Sequence, residues 1–551
     1  MSKKQNTKFI FVVGGVMSGV GKGVASSSIG NIIQARGFEV TAVKIDPYVN
    51  LDAGTMNPTE HGEVFVLKDG MECDQDMGNY ERFLNRELDR DNYMTTGSVY
   101  QAVIQKERNL HFEGKCVEVV PHIPLEVINK IENAAKKNKA DIVITEIGGT
   151  IGEYQNMIFL EAVRMLRQKH PGSVVLVLVS YLPLLGKDNE LKTKPTQYAV
   201  RTLHSAGLQP DFILARAHMP LDQKRKEKIA FNCNMREADI VSAPDIESIY
   251  EIPLNFEKDH LSSNILAKLG LRPKKNDLKN WATLVSNIKT AKKSVKVGIV
   301  GKYFSTGNFM LADSYISVIE AVRHAAYSQK IKPILEWVNA EELDPKISKN
   351  YKTNLKKLSV YDGILVPGGF GGRGVEGKIN AIKFARENKT PYLGLCYGMQ
   401  LATIEFARNV AKLSNAHTTE VNQKTPHPVI DILPEQKKNL ESKDYGATMR
   451  LGSYRAELKR GSIAHASYKK DAIYERHRHR YEVNPEYIQK LENKGLIFSG
   501  ISPDRKLMEI IELPKDRHPF FVATQFHPEF QSRPLDPHPL FEAFIKASVK
   551  K

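Results

Sequence analysis

The chain has 551 residues, enough for more than one domain with its own hydrophobic core. Its apolar fraction of 41% is typical of a globular protein, and no apolar run approaches the roughly 20 residues that cross a bilayer. The 79 Lys and Arg residues exceed the 63 Asp and Glu residues by 16, an excess that suits nucleic acid, anionic membranes and polyphosphate ligands alike. Four cysteines without C-x-x-C spacing argue against a zinc site or a disulfide framework, so we expect a cytoplasmic protein.

A glycine-rich loop follows the first predicted strand, Lys8 to Val13. The loop, G-G-V-M-S-G-V-G-K-G, precedes a predicted helix rich in Ala and Ser that reaches Arg36. Backbone N–H groups and a helix N-terminus would face an anion here, and Lys22 would reach the outer phosphates, which predicts an ATP site. A structural turn is the alternative. Gly23 stands where Ser or Thr usually helps to bind magnesium, so the metal must use other ligands.

Charged side chains stand at the ends of further predicted strands. Lys44 closes one strand and Glu146 closes another, at the edge where α/β sheets bind ligands. An acidic cluster, Glu72 to Asp76, precedes a predicted helix from Tyr80. Carboxylates of this kind suit magnesium, although an acidic helix N-terminus is an equal alternative. We take Asp76 and Glu146 as paired metal candidates.

Strands alternate with helical segments through the first half of the chain. This order predicts an α/β fold with a parallel, doubly wound sheet. The predicted strands are Lys8 to Val13, Glu39 to Ile45, Asp141 to Ile147, Val174 to Val179 and Phe212 to Arg216. Between the last two, K-T-K-P-T-Q at residues 192–197 is either a solvated loop or a polar ligand contact, and a basic helix begins at Lys224.

A change of pattern separates two predicted domains. Residues 271–294 are rich in Lys and Asn and contain one predicted helix around Trp281, and a new alternating unit starts with the strand Val295 to Val300. We therefore predict an N-terminal domain at 1–270, a linker at 271–294 and a second doubly wound domain at 295–551. The polar segment Ser414 to Lys443 is predicted to be an insertion or loop.

The second half contains a nucleophile elbow built with cysteine. The apolar stretch Tyr392 to Leu395 predicts a buried strand, Cys396 follows at its end, and Gly398 permits a tight turn into a helix that begins near Met399. Such a turn exposes the side chain and directs a helix N-terminus toward it, which favours a thiolate. A buried structural cysteine is the alternative for Cys396 alone.

A histidine and a carboxylate follow the elbow by about 130 residues. In Thr524 to Glu529, T-Q-F-H-P-E, residues two apart would share a face of a strand, so Glu529 is predicted to orient His527 while His527 deprotonates Cys396. The glycine run Pro367 to Gly371, after a predicted strand, is expected to complete an oxyanion hole. Together these parts predict a glutaminase.

The most basic stretch of the chain is E-R-H-R-H-R-Y-E at residues 475–482. His477 and His479 would share a strand face as metal ligands, or the arginines would bind phosphate or RNA. A polar, partly interfacial strand is the third interpretation.

The complete set of motifs resembles the CTP synthase family, whose members join an ATP-dependent amidoligase domain to a class I glutamine amidotransferase domain. The resemblance runs from about Lys8 to the C-terminus. The motifs that carry it are G-G-V-M-S-G-V-G-K-G, K-I-D-P-Y, G-T-M-N-P-T-E-H-G-E-V-F-V, T-E-I-G-G-T, K-T-K-P-T-Q, P-G-G-F-G-G-R-G-V-E-G, C-Y-G-M-Q, E-R-H-R-H-R-Y-E-V and Q-F-H-P-E-F.

The resemblance implies a role for each site residue. The residues expected to bind ATP are Ser18, Gly19, Val20, Gly21, Lys22, Gly23, Lys44, Asp76, Arg216 and Asp245. Those expected to contact UTP, or the product CTP, are Ser18, Glu153, Gln155, Lys192, Lys194, Gln197 and Lys228. Those expected near glutamine are Gly369, Gln400, Glu420 and Arg478, with Cys396, His527 and Glu529 catalytic.

The resemblance also implies ligands and regulation. Asp76 and Glu146 would bind Mg²⁺, and His61 and Val64 would border a passage for ammonia. Arg373 and Glu376 would belong to a mobile lid coupled to activation by GTP. The expected partners are UTP, ATP, L-glutamine, GTP and the inhibitor CTP, in a homotetramer without nucleic acid or membrane.

The expected reaction has a physical rationale. The uracil O4 is a poor leaving group until ATP phosphorylates it, and ammonia that travels inside a protein stays unprotonated and nucleophilic. Two positions depart from the family pattern: Gln155 stands in place of a carboxylate, and Tyr397 replaces the usual leucine after the nucleophile.

Two other functions compete with this interpretation. Another glutamine-dependent amidoligase, of the cobyrinate-amidase type, would not explain K-T-K-P-T-Q. A nucleic-acid-associated ATPase would use the positive charge but would leave Cys396, His527 and Glu529 without a role.

Overall fold

A computed structural model of the chain describes residues 7–185, 190–302, 305–306, 309–310, 312–432 and 446–549. The chain forms two compact units, Met1–Asp52 with Asp76–Val285, and Ala53–Gln75 with Ser286–Lys551. The segment 53–75 therefore packs with the C-terminal unit. The division into domains at 1–270 and 295–551 stays a prediction.

The first unit is built on a seven-stranded sheet in which all neighbouring strands are parallel. Its central strands are buried on both faces, as expected for runs of Val, Ile and Leu. From edge to edge the strands are Ile240–Pro244, Phe212–Ala217, Val174–Tyr181, Lys8–Gly15, Ile142–Ile147, Val40–Asp46 and Tyr93–Thr95. A two-stranded sheet pairs Leu184–Leu185 with Glu190–Leu191.

Helices connect these parallel strands. The α-helices are Lys22–Ala35, Asp76–Leu84, Thr96–Arg108, Val119–Lys137, Met157–Lys169, Lys194–Ser205, Gln223–Asn232, Ile252–Lys258, Leu261–Lys268 and Lys279–Thr290, the last of which continues past Val285. Short 3₁₀ helices are Arg90–Asn92, Tyr154–Asn156, Glu237–Asp239 and Ile249–Glu251.

The second unit has a nine-stranded sheet with five parallel strands followed by four antiparallel ones. In spatial order they are Ile331–Asn339, Lys293–Gly301, Gly363–Val366, Tyr392–Leu395, Phe521–Thr524, Met508–Glu512, Ile497–Ile501, Arg450–Leu458 and Ala472–His479. The smaller sheets are Val64–Val66 with Glu72–Asp74, Ser305–Thr306 with Phe309–Met310, and His417–Thr418 with Pro428–Ile432 and Tyr481–Val483.

Helices also join the strands of the second unit. The α-helices are Pro58–His61, Ile316–Ser328, Tyr351–Lys357, Val375–Glu387, Tyr397–Asn409, Ile463–Tyr468, Pro485–Glu492 and Pro539–Val549. The 3₁₀ helices are Ala312–Tyr315, Ala340–Leu343, Leu358–Val360 and Pro528–Gln531.

The predicted fold class is confirmed, because both units are α/β and each holds parallel strands joined by helices. The predicted strands Gly363–Val366 and Tyr392–Leu395 have the bounds observed, and the predicted strands of the first half and Val295 to Val300 differ by one to three residues. Part of the predicted polar segment Ser414 to Lys443 forms short strands, and residues 433–445 lie outside the described residues. Within the described ranges, every helix is too short or too polar to traverse a lipid bilayer.

The C-terminal helix Pro539–Val549 tests the core of the second unit. Phe544 is fully buried and its ring approaches Gly363 so closely that a Cβ there would stand 2.7 Å from the ring carbon Cζ. Phe544→Ala is expected to destabilise this unit by about 3–5 kcal/mol through lost burial and a residual cavity. The thermal unfolding midpoint of the second unit should fall by roughly 6–20 °C in this variant. Ile347→Ala, at a side chain that is 60% exposed, is the control and should change it little.

Candidate functional site

The chain makes a strained turn at Cys396. This residue follows the strand Tyr392–Leu395 with φ 49° and ψ −100°, and the helix Tyr397–Asn409 begins directly after it. The Cys396 N–H donates to Thr524 O at 2.6 Å. A Cβ on Gly398 would stand 2.3 Å from Val366 O, so only glycine allows the helix to approach the neighbouring strand this closely. The local sequence thus forms the elbow geometry that exposes a nucleophile.

His527 and Glu529 lie beside this turn. His527 Nδ1 is 2.7 Å from Glu529 Oε1, and both side chains are buried. The space next to Gly368 is bounded by both His527 and Cys396, since a Cβ on Gly368 would be 2.9 Å from His527 Cε1 and 3.7 Å from Cys396 Cβ. Burial alone would lower the pKa of His527, but Glu529 and Cys396 together raise it to about 10. The imidazole is therefore a cation at neutral pH and can hold a thiolate beside it.

One prediction about this pair was wrong in its reasoning. The strand ends at Thr524, and Pro528–Gln531 is a 3₁₀ helix, so His527 and Glu529 do not share a strand face. Pro528 cannot donate to a sheet ladder, which explains why the strand stops before it. The backbone N–H of His527 instead donates to Arg476 O at 2.8 Å. The two side chains meet across the first turn of the short helix.

A cavity within the second unit opens beside the three residues. The residues that line it are Pro58, Glu63, Val64, Ser314, Tyr315, Val318, Gly368, Gly369, Phe370, Cys396, Arg478, His527, Glu529 and Phe530. The structure thus brings Gly369, Arg478 and Val64 together with the three predicted catalytic residues. His61 lies three residues before Val64, at the end of the helix Pro58–His61.

The other residues expected near glutamine surround the elbow. Gln400, on the helix after Cys396, donates to Tyr481 O at 3.0 Å. Glu420 accepts a hydrogen bond from Gly371 N at 2.6 Å, and burial raises the pKa of its carboxyl although this N–H opposes the shift. Arg478 Nε donates to Glu72 Oε1 at 2.8 Å, so its guanidinium already has a carboxylate partner.

The two expected lid residues are both ion-paired. Arg373 pairs with Glu341 at 2.8 Å and its side chain is 58% exposed. Glu376 contacts Arg408, on the helix that follows Cys396, at 2.9 Å. Both lie in or directly after the glycine loop that borders the cavity.

In the first unit, the glycine loop surrounds Lys22. Gly21 has φ 88° and caps the helix Lys22–Ala35, and Gly19 has φ 71°. Lys22 Nζ donates to Gly149 O at 2.8 Å. Burial lowers the pKa of Lys22 and Lys44 adds to this effect, whereas Glu146 opposes it.

Lys44 joins the two predicted metal ligands. Its Nζ lies 2.5 Å from Asp76 Oδ2, 2.7 Å from Glu146 Oε1 and 3.6 Å from Asp46 Oδ1. Burial alone would lower the pKa of Lys44, but Asp76 and Glu146 hold it well above its usual value. A Cβ on Gly23 would stand only 2.0 Å from Asp76 Oδ1, so the absence of a side chain there makes room for the carboxylate. Carboxylate oxygens are thus grouped next to the loop.

Arg216 and Asp245 lie near the same loop. Arg216 Nη2 pairs with Asp245 Oδ1 at 2.8 Å, and Arg216 Nη1 is 3.9 Å from where a Cβ on Gly21 would be. Beside them is a largely apolar cleft. Its lining residues are Gly21, Ala25, Val179, Leu214, Arg216, Ala243, Pro244, Ile252, Asn255 and Phe256.

The residues expected to contact UTP fall into two groups. Glu153 accepts from Thr150 N at 2.9 Å and from Gln155 Nε2 at 2.9 Å, so the amide of Gln155 binds the carboxylate beside it. In the second group, Lys192 Nζ is 2.5 Å from Glu190 Oε2. The contact with Lys192 is the main cause that lowers the pKa of Glu190, and the positive charge of Lys228 adds to it.

The K-T-K-P-T-Q stretch is only partly a loop. The helix Lys194–Ser205 begins within it, with Pro195 in the first turn, and Gln197 Nε2 donates to Thr193 Oγ1 at 3.2 Å. Proline is favoured at the start of a helix, because the backbone N–H that it lacks would have no partner within the helix there.

The basic stretch at 475–482 is mostly a buried strand, Ala472–His479. His477 Nδ1 lies 2.9 Å from His479 Nε2, and burial lowers the pKa of both rings well below the usual value. Across the described residues, no group of three or more His, Cys, Asp or Glu side chains is arranged to hold a metal ion. The geometry favours the interpretation of a polar, buried strand.

Three contacts near Cys396 were missed by the sequence interpretation. Gln525 Nε2 lies 3.7 Å from Cys396 Sγ, and Arg478 O lies 3.8 Å from it. Glu72 was grouped with Asp76 as an acidic cluster, but it contacts Arg478 in the second unit. Of these residues, Gln525 could have been found from the sequence, because it stands two residues before His527.

Comparisons with known proteins match nearly the whole chain. The family profile described as CTP synthase N-terminus matches residues 8–271, and the profile for glutamine amidotransferase class-I matches residues 310–547. CTP synthase of Pyrococcus abyssi is 49% identical over 544 residues, covering 98% of both chains. CTP synthase of Caldanaerobacter subterraneus is 50% identical over 543 residues, again 98% of both. A solved structure of the Trypanosoma brucei CTPS glutaminase domain with bound acivicin is 38% identical, covering 47% of this chain and 94% of that one, with a TM-score of 0.42.

The pKa of His527 provides a test of the site. Glu529→Gln removes the largest effect that raises this pKa, so the His527 titration midpoint should move from about 10 toward neutral pH. Histidine-selective ¹³C NMR, with the His527 signal assigned by substitution, would measure it. Glu542→Gln removes a carboxylate elsewhere in the unit and should leave the midpoint unchanged.

The same pKa predicts how stability varies with pH. The raised pKa of His527 adds to the free energy of unfolding. This contribution is complete below the pKa of the unfolded state, near 6.5, and is lost as pH rises through about 10. The loss of unfolding free energy in Glu529→Gln should therefore be largest near pH 6 and disappear above pH 10. An equal loss at all pH values would contradict the charged pair.

Proposed function

Since the chain belongs to the CTP synthase family, we infer that it is a glutamine-hydrolysing ligase that aminates UTP to CTP with ATP as co-substrate. This is a reaction of pyrimidine nucleotide biosynthesis. The observation that carries the inference is that one chain holds two kinds of site. Cys396, His527 and Glu529 meet at an elbow, and Lys22 follows a glycine loop at the end of a parallel strand.

The elbow provides the chemistry for releasing ammonia. The Cys396 thiolate attacks the side-chain amide carbon of glutamine, and the carbonyl electrons move onto oxygen. Backbone N–H groups stabilise that oxyanion, and His527 gives a proton to the departing nitrogen. Water then hydrolyses the thioester to glutamate, with His527 as general base, a role that typically contributes about 10²–10⁴-fold. Glu529 holds the imidazole through Nδ1.

Residues of the cavity and of its surroundings are proposed to contact glutamine. We propose that Gly369 borders the reacting amide, while Gln400, Glu420 and Arg478 hold the rest of the molecule. Glu420 is half-buried and accepts a hydrogen bond from the glycine loop, which suits recognition of an ammonium group. Arg478 lines the cavity while its Nε is bound to Glu72, which leaves its remaining N–H groups to act on a carboxylate.

The glycine loop is proposed to bind ATP. Residues Ser18 to Gly23 would surround the phosphates, with Lys22 and Lys44 neutralising charge. Arg216 lines the apolar cleft next to Gly21 and pairs with Asp245, which supports a place for the adenosine beside these two residues.

Asp76 and Glu146 fit a bound Mg²⁺. Their oxygens lie close enough together to share Lys44 Nζ, and hard carboxylate oxygens next to phosphates are what Mg²⁺ prefers. When bound, the ion neutralises charge on the transferring phosphoryl group. Tyr80 donates to Glu146, and this contact orients one of the two carboxylates.

The uracil nucleotide is proposed to lie against two groups of polar side chains. Glu153 and Gln155 form one, and Ser18, Lys192, Lys194, Gln197 and Lys228 form the other. Lys192 and Lys228 both act on Glu190, and their shared positive potential supports a triphosphate site. Phosphorylation of the uracil O4 creates a leaving group that ammonia displaces at C4. We propose that CTP inhibits from an overlapping position.

The Cys396 cavity also suggests how ammonia leaves. Val64 lines this cavity and His61 ends the helix just before it. We propose that these two residues border the passage through which ammonia leaves the glutaminase site. A covered route keeps ammonia unprotonated until it reaches the phosphorylated uracil.

The resemblance to the family also suggests regulation by GTP and assembly into an oligomer. We propose that GTP activates glutamine hydrolysis through the lid that contains Arg373 and Glu376, that the enzyme is a homotetramer, and that it works in the cytoplasm. The pairing of Glu376 with Arg408 supports the first of these, because it joins the lid to the helix that starts at the nucleophile. All four cysteines are unpaired, which agrees with a reducing compartment.

Removal of the nucleophile should separate the two half-reactions. Cys396→Ala is expected to abolish CTP formation with glutamine and to retain it with ammonium salts, since only the ammonia source is lost. Spectrophotometric CTP assays with each nitrogen donor would measure this. Cys116→Ala, at an exposed cysteine, should retain both activities. Loss of both activities in Cys396→Ala would mean that this residue is not a dedicated ammonia source.

Removal of the phosphate-binding lysine should stop both reactions. Lys22→Ala is expected to eliminate CTP formation from glutamine and from ammonia, because both need UTP phosphorylated by ATP. Lys274→Ala changes a lysine that pairs with Asp141 in the same unit and serves as the control. Retention of either activity in Lys22→Ala would exclude Lys22 from the ATP site.

A further inference from the structure

The residue after the nucleophile is bound to the glycine loop. Tyr397 OH donates to Gly371 O at 2.8 Å, although the two residues are 26 positions apart. The resembled family usually has leucine at this position, which cannot donate a hydrogen bond. The contact is therefore a consequence of the residue that this chain carries.

Gly371 is held from both of its polar sides. Its carbonyl accepts from Tyr397, and its N–H donates to Glu420 Oε1 at 2.6 Å. Its φ of 73° lies in the left-handed region, which keeps both groups pointed at these partners. The loop is thus fixed at one residue by two hydrogen bonds, one of them to the half-buried carboxylate of Glu420.

The ring of Tyr397 is fixed in turn. It is 1% exposed, with Lys302 Nζ 5.9 Å and Lys378 Nζ 5.6 Å from the ring centroid. Lys378 is itself fully buried, and within the described part of the chain its Nζ has no hydrogen-bond partner. Close packing of the buried ring against these two lysine side chains restrains the ring and hence the hydroxyl.

This contact joins the two sources of oxyanion donors. In an elbow, one donor is the backbone N–H of the residue after the nucleophile, here Tyr397, and another comes from a separate loop. Gly368, Gly369 and Phe370 precede Gly371 directly and line the cavity beside Cys396. A donor misplaced by a fraction of an ångström stabilises the oxyanion less.

We propose that Tyr397 is a positioning residue of the glutaminase reaction, which fixes the glycine loop through its hydroxyl while its backbone N–H acts on the oxyanion. The inference rests on the proposed glutamine hydrolysis and not on the reaction at UTP. It assigns to one side chain the relative placement of the two oxyanion donors.

The test compares Tyr397→Phe with the parent enzyme. Loss of the hydroxyl should lower kcat for glutamine hydrolysis about 3–10-fold with little change in KM, since substrate contacts remain and one hydrogen bond is lost. Tyr361→Phe removes a buried tyrosine hydroxyl that contacts Glu336 in the same unit and should leave kcat unchanged. An unchanged kcat in Tyr397→Phe overturns the proposal.

A second readout distinguishes the loop from the thiol. Alkylation of Cys396 by iodoacetamide needs the thiolate but no oxyanion hole, so its rate, followed by mass spectrometry of the Cys396 peptide, should be the same in Tyr397→Phe. A fall in alkylation that matches the fall in kcat would place the effect on the nucleophile and overturn the proposal.

Hydrogen exchange observes the loop itself. Backbone amides at 368–374 should exchange faster in Tyr397→Phe and in Tyr397→Leu than in the parent enzyme, and unchanged exchange would contradict the tether. Formation of CTP from ammonia should be retained in both variants. If the parent enzyme itself hydrolysed no glutamine, the proposed function would fail, a result separate from any difference between variants.

Discussion

The glutaminase unit depends on one close backbone approach. Gly398 packs against Val366 O, and this contact lets the helix Tyr397–Asn409 start directly at the end of a central strand. Cys396 must then take a positive φ, a conformation that costs a non-glycine residue about 1–3 kcal/mol. Hydrogen bonds from Cys396 N–H to Thr524 and from Tyr392 OH to Gly398 O offset that cost. The strained turn places the thiol against the cavity and aligns the helix N-terminus with it.

The strand Ala472–His479 contacts the proposed catalytic residues. Its carbonyls at Arg476 and Arg478 contact His527 N–H and Cys396 Sγ, while its arginine side chains contact Val66 O and Glu72. The segment 53–75 is thereby packed within the glutaminase unit, although the residues on both sides of it belong to the first unit. One buried strand therefore contacts Cys396, His527 and the segment 53–75 within the second unit. The dense charge of that strand is explained by these contacts and does not require nucleic acid.

Local sequence signals were sufficient for much of the fold and for the centre of each site. The glycine loop with Lys22 and the elbow at Cys396 are contiguous, so composition and spacing alone predicted the strand, turn and helix around them. Contacts between distant residues could not be predicted this way. Glu72 and Arg478 are 406 residues apart, and nothing in either neighbourhood identifies the partner. The conformation of His527 and Glu529 was also misjudged, because the strand ends at Thr524 and a short helix from Pro528 brings the same two side chains together.

We propose that ammonia released at Cys396 is delivered to UTP within the protein. The most direct measurement supplies [amide-¹⁵N]glutamine together with unlabelled ammonium and determines the ¹⁵N content of the CTP amino group by mass spectrometry. Internal delivery predicts an enrichment far above the share of ¹⁵N in the free ammonium pool. An enrichment equal to that of the pool would show that ammonia mixes with solvent first and would contradict the account.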